Sequence, residues 1–413
     1  MGFVYPDGII STAGHVDHGK TTVVYALSGT WVARHSEEVK KAMTIKLGYI
    51  QIGIYECSGS EYPLTDGLLN KDKCPDGSEP KLLRKISIVD VPGHEVLIAT
   101  MVSGAAAVDA ALMVVDATAS VPQPQTAEHF AVIDIIGIRN MVVAQNKIDL
   151  VTREKAVENY NQIRKFLADT WAQNSPVVPV SALHRVNIDV LAFYINKITP
   201  RRDPDMAKPA RMAVLRSFNV NPPGTPVNKL RGGVLGGTML QGVIKVGEEV
   251  EIRPGLKIDR QGAKSPYQPL ITKVVGIEYG GERAEEARPG GLVGLLTTLD
   301  PALAKADALA GSIVGKPGSL PPVWTNIELE VKDLPRFGER AEPMKHNEVV
   351  MVSVGPATVF GVVQSVKKDV VSIALKKAVA ADEGAKAVIT RQIKNRWLVS
   401  NYGILRGGTA VLE

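Results

Sequence analysis

Up to about residue 200 the apolar positions fall into short unbroken runs, separated by stretches whose apolar residues recur at helical spacing. DGIISTA, KISIVDV, ALMVVDA, MVVAQNK and PVVPVSA, each bounded by Gly, Pro or Asp, predict buried strands. GKTTVVYALSG, GHEVLIATMVSGAAAV, QTAEHFAVIDIIG and TREKAVENYNQIRKFLADTW predict helices, three of which end at or near a glycine stop. Strand and helix in alternation predict a mostly parallel sheet covered on both faces, an α/β domain.

The pattern changes after the Pro/Arg/Asp-rich stretch TPRRDPDMAKPA. Long helical periodicity nearly vanishes, and RMAVLRSFNV, GGVLGGTML, GVIKVGEEVEIRPG and LVGLLTTLD follow as short β-rich runs between Gly-rich turns. A second seam falls at KPGSLPPVWTN, before NIELEVKDL, EVVMVSVG, TVFGVVQSVKK and DVVSIALKK. The chain therefore reads as an α/β domain over 1–203 and two antiparallel β-barrels over 204–320 and 321–413.

Composition narrows this picture little. The length of 413 residues suits two or three domains, and 45% apolar with 22% charged residues is ordinary for a soluble protein. No apolar run approaches the roughly 18 to 20 residues that span a bilayer, so no membrane association is expected. The first residues, MGFVYPDGIIST, lack the pattern of a signal peptide. Two cysteines, Cys57 and Cys74, predict a reducing cytoplasm and a fold without a disulfide framework. Charge is uneven: the net is −3 through residue 205 and +8 beyond it. A polyanionic partner for the second half and merely scattered surface lysines account for that equally.

The candidate chemistry lies at the predicted strand ends. Gly14-His15-Val16-Asp17-His18-Gly19-Lys20-Thr21 fits G-x-x-x-x-G-K-[ST] between a strand and a helix. Glycines let the backbone wrap phosphates, so the cradle runs over Asp17, His18, Gly19, Lys20, Thr21 and Thr22, with N–H groups facing the anion. Lys20 should reach the β- and γ-phosphates, and the Thr21 hydroxyl should bind Mg²⁺. Asn146-Lys147-Ile148-Asp149 follows a strand, and the Asp149 carboxylate can accept from both guanine N1–H and the exocyclic amine, a pair that adenine lacks. Ser181-Ala182-Leu183 follows the next strand. Phosphate loop, D-x-x-G, N-K-x-D and this last triplet occur in the order that selects GTP over ATP. In Asp90-Val91-Pro92-Gly93-His94, Asp90 should hold Mg²⁺ through water and Gly93 should sense the γ-phosphate. His94 is the candidate for orienting the attacking water, and Thr44 is the candidate second protein ligand to Mg²⁺.

GHVDHGKTT, DVPGH, PQPQT and NKIDL together resemble a translational GTPase of the elongation factor Tu class, two trailing barrels included. HSEEVKKAMTIKLGY, VLRSFNVNPPGT and GGVLGGTMLQGVIKVGEEVEIRPG resemble the gamma subunits of archaeal and eukaryotic translation initiation factor 2, and Asp17 resembles the archaeal members. That resemblance implies a GTPase with GTP/GDP and Mg²⁺, working in a heterotrimer with alpha and beta subunits. It implies delivery of initiator methionyl-tRNA to the small ribosomal subunit, with slow intrinsic and partner-stimulated hydrolysis. The alternative is the elongation factor for selenocysteyl-tRNA, which usually carries a further C-terminal domain, whereas this chain stops soon after its third. A nucleotide-gated scaffold without useful hydrolysis is a reading of another class.

Two departures from the resemblance stand out. Archaeal members often carry a four-cysteine zinc knuckle after the first switch, but Cys57 and Cys74 offer two sulfurs with sixteen residues between them and no histidine near. No zinc is expected, and the insertion GSEYPLTDGLLNKDKCPDGSEP reads as a mobile surface loop. Ala42 stands where relatives have glycine.

Asp17 poses the remaining question, because a carboxylate about 4 to 6 Å from a triphosphate costs roughly 3 to 4 kcal/mol per phosphate charge at an effective dielectric near 20. A cation between the two turns repulsion into attraction, so a second Mg²⁺ or a monovalent ion is expected at Asp17, completed by the Ala42 carbonyl and water. The alternative is an Asp17 that turns outward into solvent or pairs with Lys40.

Overall fold

A computed structural model describes residues 3–31, 48–91, 108–201, 205–258, 266–333, 343–393 and 396–412. Thr44, Ala42, Lys40, Gly93 and His94 lie outside the described residues, as does most of the segment GHEVLIATMVSGAAAV. The chain divides into two compact units that meet between Arg202 and Asp203.

The first unit is a seven-stranded sheet. In chain order its strands are β1 (Pro6–Ala13), β2 (Gly48–Glu56), β3 (Leu64–Thr65), β4 (Lys81–Asp90), β5 (Ala110–Asp116), β6 (Met141–Asn146) and β7 (Val177–Pro179). They lie in the order β3-β2-β4-β1-β5-β6-β7. The five from β4 to β7 are parallel, and β2 and β3 form an antiparallel edge. Helices α1 (Lys20–Ser28), α2 (Pro124–Ile136), α3 (Arg153–Leu167) and α4 (Ile188–Ile198) connect or follow these strands. The central strands bury apolar residues on both faces: Ile10, Ile88, Leu112, Val114 and Val142 are sealed from solvent against Val23, Leu27, Leu191 and Ile195 of α1 and α4. Each such side chain contributes roughly 1.5–3 kcal/mol by leaving water. The chain runs from β1 to β2, β3 and β4 on one side of β1 and then crosses to β5 on its other side, a switch point beyond whose carboxyl ends such sheets bind ligands. Among the described residues no helix is long and apolar enough to cross a membrane.

The insertion after β2 departs from its sequence reading as a loop. Leu64 and Thr65 pair with Tyr55 and Ile54, a 3₁₀ turn follows over Asp66–Leu68, and Asp66 accepts from the Gly53 amide at 2.6 Å and the Tyr55 hydroxyl at 2.8 Å. This return path brings Cys57 and Cys74 to a Cα separation of 5.7 Å, and they form a disulfide. The expectation of a fold without disulfides fails for that reason: it counted cysteines and did not see the hairpin that pairs them. The joined sulfurs pack with Leu64, Leu68 and Leu69 as a small apolar cluster.

The second unit holds two barrels. One is built from Arg211–Phe218, Val234–Gln241, Glu249–Lys257, Tyr267–Tyr279, Leu292–Thr297 and Ile313–Gly315, closed by pairing of Glu249–Lys257 with Tyr267–Tyr279. The other is a closed six-stranded barrel from Val323–Asp333 to Arg396–Leu412, filled by Ile327, Leu329, Val350, Val352 and Ile373. The sequence reading missed Tyr267–Tyr279, where exposed Gln268, Lys273 and Glu278 dilute the apolar signal, and Lys386–Ile393 and Arg396–Leu412, where Thr390, Arg391, Ser400 and Asn401 are polar yet buried. A buried pair, Arg253 Nε to Glu251 Oε1 at 2.6 Å, clamps the inter-barrel segment. Glu251 accepts from the Gly318 amide, and Arg253 donates to the Leu320 and Pro321 carbonyls.

Arg84 is the main polar anchor of the first unit. It rises from β4 into the interior, reaches Asp7 Oδ1 at 2.6 Å and donates to the Thr199 carbonyl at 2.8 Å. It thereby ties the first strand to the end of the last helix. Arg84→Met is expected to destabilise the chain by roughly 3–5 kcal/mol, because it strands a partly buried carboxylate and a buried carbonyl. Urea unfolding checks this, and a loss under about 1 kcal/mol would mean the clasp contributes no more than a surface ion pair.

Candidate nucleotide site

Both loop glycines are dictated by close approach. Gly14 sits at φ 130°, where an added Cβ would lie 2.2 Å from the Val114 carbonyl oxygen. Gly19 sits at φ 85°, where a Cβ would lie 2.4 Å from Asn146 Nδ2. Asp17 also adopts a left-handed conformation, φ 62°, which Asp tolerates better than most residues, and its side chain is exposed. Helix α1 begins directly after Gly19 with no side-chain cap among the described residues and no acid in its first turn. Amides at such an uncapped helix start are the groups that bind anions.

Lys20 is only 7% exposed, and its ammonium donates to the Gly14 carbonyl at 3.0 Å and the His15 carbonyl at 2.7 Å. Burial lowers its pKa to about 8, against the pull of Asp90 and Asp17. The lysine meant for the phosphates is thus folded back on its own loop, stretched along the path they would take. Beside it the Thr21 hydroxyl donates to Asp90 Oδ2 at 2.6 Å, and the Thr12 hydroxyl donates to Asp90 Oδ1 at 2.9 Å. A hydroxyl and a carboxylate, hard oxygen donors next to a phosphate cradle, fit Mg²⁺. Among the described residues no group of three His, Cys, Asp or Glu side chains could hold a metal by itself, and this includes the surroundings of Asp17.

The base side is built from the ends of β6 and β7. Asn146 Nδ2 donates to the His18 carbonyl at 3.0 Å, and its Oδ1 accepts from the Ala182 amide at 3.1 Å. Both ends of the Asn146 amide are engaged by protein, so it joins two loops rather than facing outward. Lys147, at φ 63°, lays its ammonium 2.6 Å from Asp116 Oδ2. Burial alone would raise the Asp116 pKa, but the bonds from Lys147 and Thr118 outweigh it and hold the carboxyl low. The Asp149 carboxylate lies 3.8 Å from His184 Nε2, and the Ser181 hydroxyl accepts from the His184 amide at 3.3 Å. Leu183 is exposed, and Thr22 follows Thr21 on the first turn of α1. Thus the structure brings Gly19, Lys20, Thr21, Asp90, Asn146 and Lys147 together around one crevice. Sequence reasoning missed Asp116, which closes its strand run and offered no motif to mark it.

Comparison with known proteins follows this geometry. The chain matches the family model described as elongation factor Tu GTP binding domain over residues 8–201. It matches the one described as initiation factor eIF2 gamma, C terminal, over 325–405. It is 47% identical over 403 residues to the translation initiation factor 2 subunit gamma of Pyrococcus furiosus, covering 96% of this chain and 97% of that one. With the same-named protein of Sulfurisphaera tokodaii the identity is 43%, over 98% of this chain and 99% of the relative. Among solved structures, the elongation factor SelB of Methanococcus maripaludis with the GTP analogue GppNHp superposes with a TM-score of 0.71 at 22% identity, over 99% of this chain and 80% of that one. A bacterial selenocysteine-specific elongation factor superposes at 0.72 and 24% identity, and this chain spans 58% of its length. At such identities the two structures share the fold alone.

The lowered Lys20 pKa yields a pH dependence. Phosphates restore the proton affinity of the ammonium, so the free loop loses its proton near pH 8 while the loaded loop keeps it. Below about pH 8 GDP affinity should be flat, and above it affinity should fall, approaching tenfold per pH unit. Calorimetric titration of the wild type and Lys20→Arg, whose guanidinium stays charged, checks this. Identical slopes in the two proteins would assign the pH dependence to another group.

Proposed function

The chain belongs to the family of translation initiation factor 2 gamma subunits, and from that membership we propose that it carries initiator methionyl-tRNA to the small ribosomal subunit. It is a translation initiation GTPase with a guanine-nucleotide site. In our reading it acts in the cytoplasm as one subunit of a heterotrimer with alpha and beta subunits, and residues 1–203, 204–320 and 321–413 are its three domains. GTP favours the tRNA-holding state, and hydrolysis after start-codon selection ends it.

One observation supports the mononucleotide site most directly. A single side chain, Asn146, bonds the phosphate loop through the His18 carbonyl and the base loop through the Ala182 amide. It fixes the distance between a subsite for phosphate and a subsite for guanine. Lys20 then turns from the Gly14 and His15 carbonyls toward the phosphates, a short movement for a flexible stem. Thr21 directly and Asp90 through water would hold Mg²⁺, which would supply charge neutralisation for the phosphates. Asp149 accepts from the guanine edge, with Ser181, Ala182 and Leu183 alongside. Gly93 senses the γ-phosphate, His94 orients the water, and Thr44 completes the metal shell; these three roles rest on motif position.

Initiator and elongator methionyl-tRNA binding, each measured with a GTP analogue and with GDP, tests the carrier role. Tighter binding of the initiator with the GTP analogue is expected. Equal affinity for the two tRNAs, or equal affinity in the two nucleotide states, would remove the carrier reading. Preference for selenocysteyl-tRNA would install the alternative.

A second cation, Mg²⁺ or monovalent, would be held by the Asp17 carboxylate and the Ala42 carbonyl in the GTP state, whereas the exposed side chain of Asp17 also fits the alternative of a solvated carboxylate. Asp17→Ala should weaken the dependence of GTP-analogue affinity on cation concentration while leaving GDP affinity unchanged. Unaltered cation dependence, with normal hydrolysis, would favour the solvated carboxylate.

A further inference from the structure

We propose that Gln125 and His129, one helical turn apart on α2, are positioning residues of the nucleotide site that hold the first half of the phosphate loop from behind. The Gly14 amide donates to His129 Nδ1 at 3.0 Å, and the Val16 amide donates to Gln125 Oε1 at 3.0 Å. Residues four apart share a helix face, and α2 starts with Pro124 in its first turn, which fixes where that face points. The helix is itself anchored: Phe130 stacks on Trp171 at a centroid distance of 5.5 Å and meets Phe166 edge-on. The run PQPQT therefore has a task that the nucleotide motifs leave unexplained.

The chemistry of His129 singles it out. Its ring is fully buried. Because Nδ1 accepts a proton from a backbone amide, the ring proton must sit on Nε2. That Nε2 is buried and has no hydrogen-bond partner among the described residues. A buried imidazole that leaves one nitrogen unpaired while the other meets a loop amide is arranged around that acceptor, since an unmet buried donor costs free energy. Burial foremost, then Lys20, His15 and His18, keep the ring neutral and push its pKa down to about 3, so the acceptor persists at any working pH. Gln125, half-buried, supplies an acceptor that does not titrate.

The geometry divides the loop into two jobs. The amides of Gly14 and Val16 turn to the α2 side, while Lys20 and the uncapped start of α1 face the crevice. The device rests on the reading of this loop as the nucleotide cradle. If the brace holds the cradle in its binding shape, losing an acceptor leaves a loop amide unpaired and lets the loop relax, and nucleotide escapes faster.

Release of a fluorescent GDP from the full chain by stopped flow tests this. His129→Leu and Gln125→Leu should each speed release by roughly tenfold, the scale of one lost buried hydrogen bond. His129→Asn, whose side-chain oxygen stands near the position of Nδ1, should keep release near the wild-type rate. Nitrogen NMR of labelled histidine should find His129 as the neutral Nε2–H form. Release unchanged in both leucine variants, Asn behaving like Leu, or a ring proton on Nδ1 would each overturn the brace. Gln125→Leu keeps the test open should His129→Leu fail to fold. Lys20→Ala separates the two layers: unaltered GDP affinity there would remove the cradle reading itself, whatever the brace variants do.

Discussion

A loop that must keep its amides for an anion cannot also spend them on holding its own shape. Regular structure satisfies buried N–H groups by pairing them locally, but a phosphate cradle has to leave a row of them open. This constraint explains why the loop from Gly14 to Thr21 is gripped from every neighbouring element. β5 offers the Val114 carbonyl, 3.1 Å from His18 Nδ1. The end of β6 sends Asn146 to the His18 carbonyl, and the end of β4 takes the Thr21 hydroxyl on Asp90. The contacts are to carbonyls, side chains and the amides of the first half, and the helix start has no side-chain cap.

The same constraint shapes the electrostatics. Three imidazoles surround the loop, and all are held below their ordinary pKa: burial dominates for each, reaching about 4 for His18 and about 3 for His129. Neutral rings donate (His18 to the Val114 carbonyl), accept (His129 from the Gly14 amide) or pack without adding charge that would compete with Lys20 for the phosphates. The local charge then reduces to Lys20, Asp90 and Asp17, and its balance is tilted by whatever anion or cation arrives. That tilt explains why a lysine with a pKa near 8 is tolerated. It is the group whose burial is relieved on binding.

The legible parts of this molecule were those written in local order. Strand runs bounded by Gly, Pro or Asp emerged at β1, β4, β5 and β6, and helices emerged at α1 and α2, with glycine stops, and at α3, because one face or both faces of each are buried. Residues that work by meeting a distant segment were not legible. Asp116 acts through Lys147, Arg84 through Asp7 and Thr199, and Gln125 and His129 through amides more than a hundred positions away. The cysteines failed for the same reason: β2 and β3 had to be recognised as a hairpin before Cys57 and Cys74 could be seen to meet. Helix α4 was missed although its buried Ile188, Leu191, Ala192 and Ile195 recur at helical spacing.

The barrel unit is built against internal change. Closed sheets have no free edge to rearrange, and opening one would break ladder bonds along whole strands. The segment between the barrels is fixed by buried Glu251 and Arg253, whose charged groups are each hydrogen-bonded again to the backbone. Moving that segment would strand a buried ion pair, a loss of several kcal/mol. Arg211 meets Asp382 at 2.7 Å and the Tyr267 hydroxyl accepts from the Ala378 amide, so the two barrels also hold each other away from the segment that joins them. A γ-phosphate can bias only an element with two arrangements of similar energy. Among the described residues the barrels show no such element, whereas the first unit has a lysine folded onto its own loop and a helix start without a side-chain cap. Within the first unit, the groups that a nucleotide can bias lie at the ends of β1 and β4.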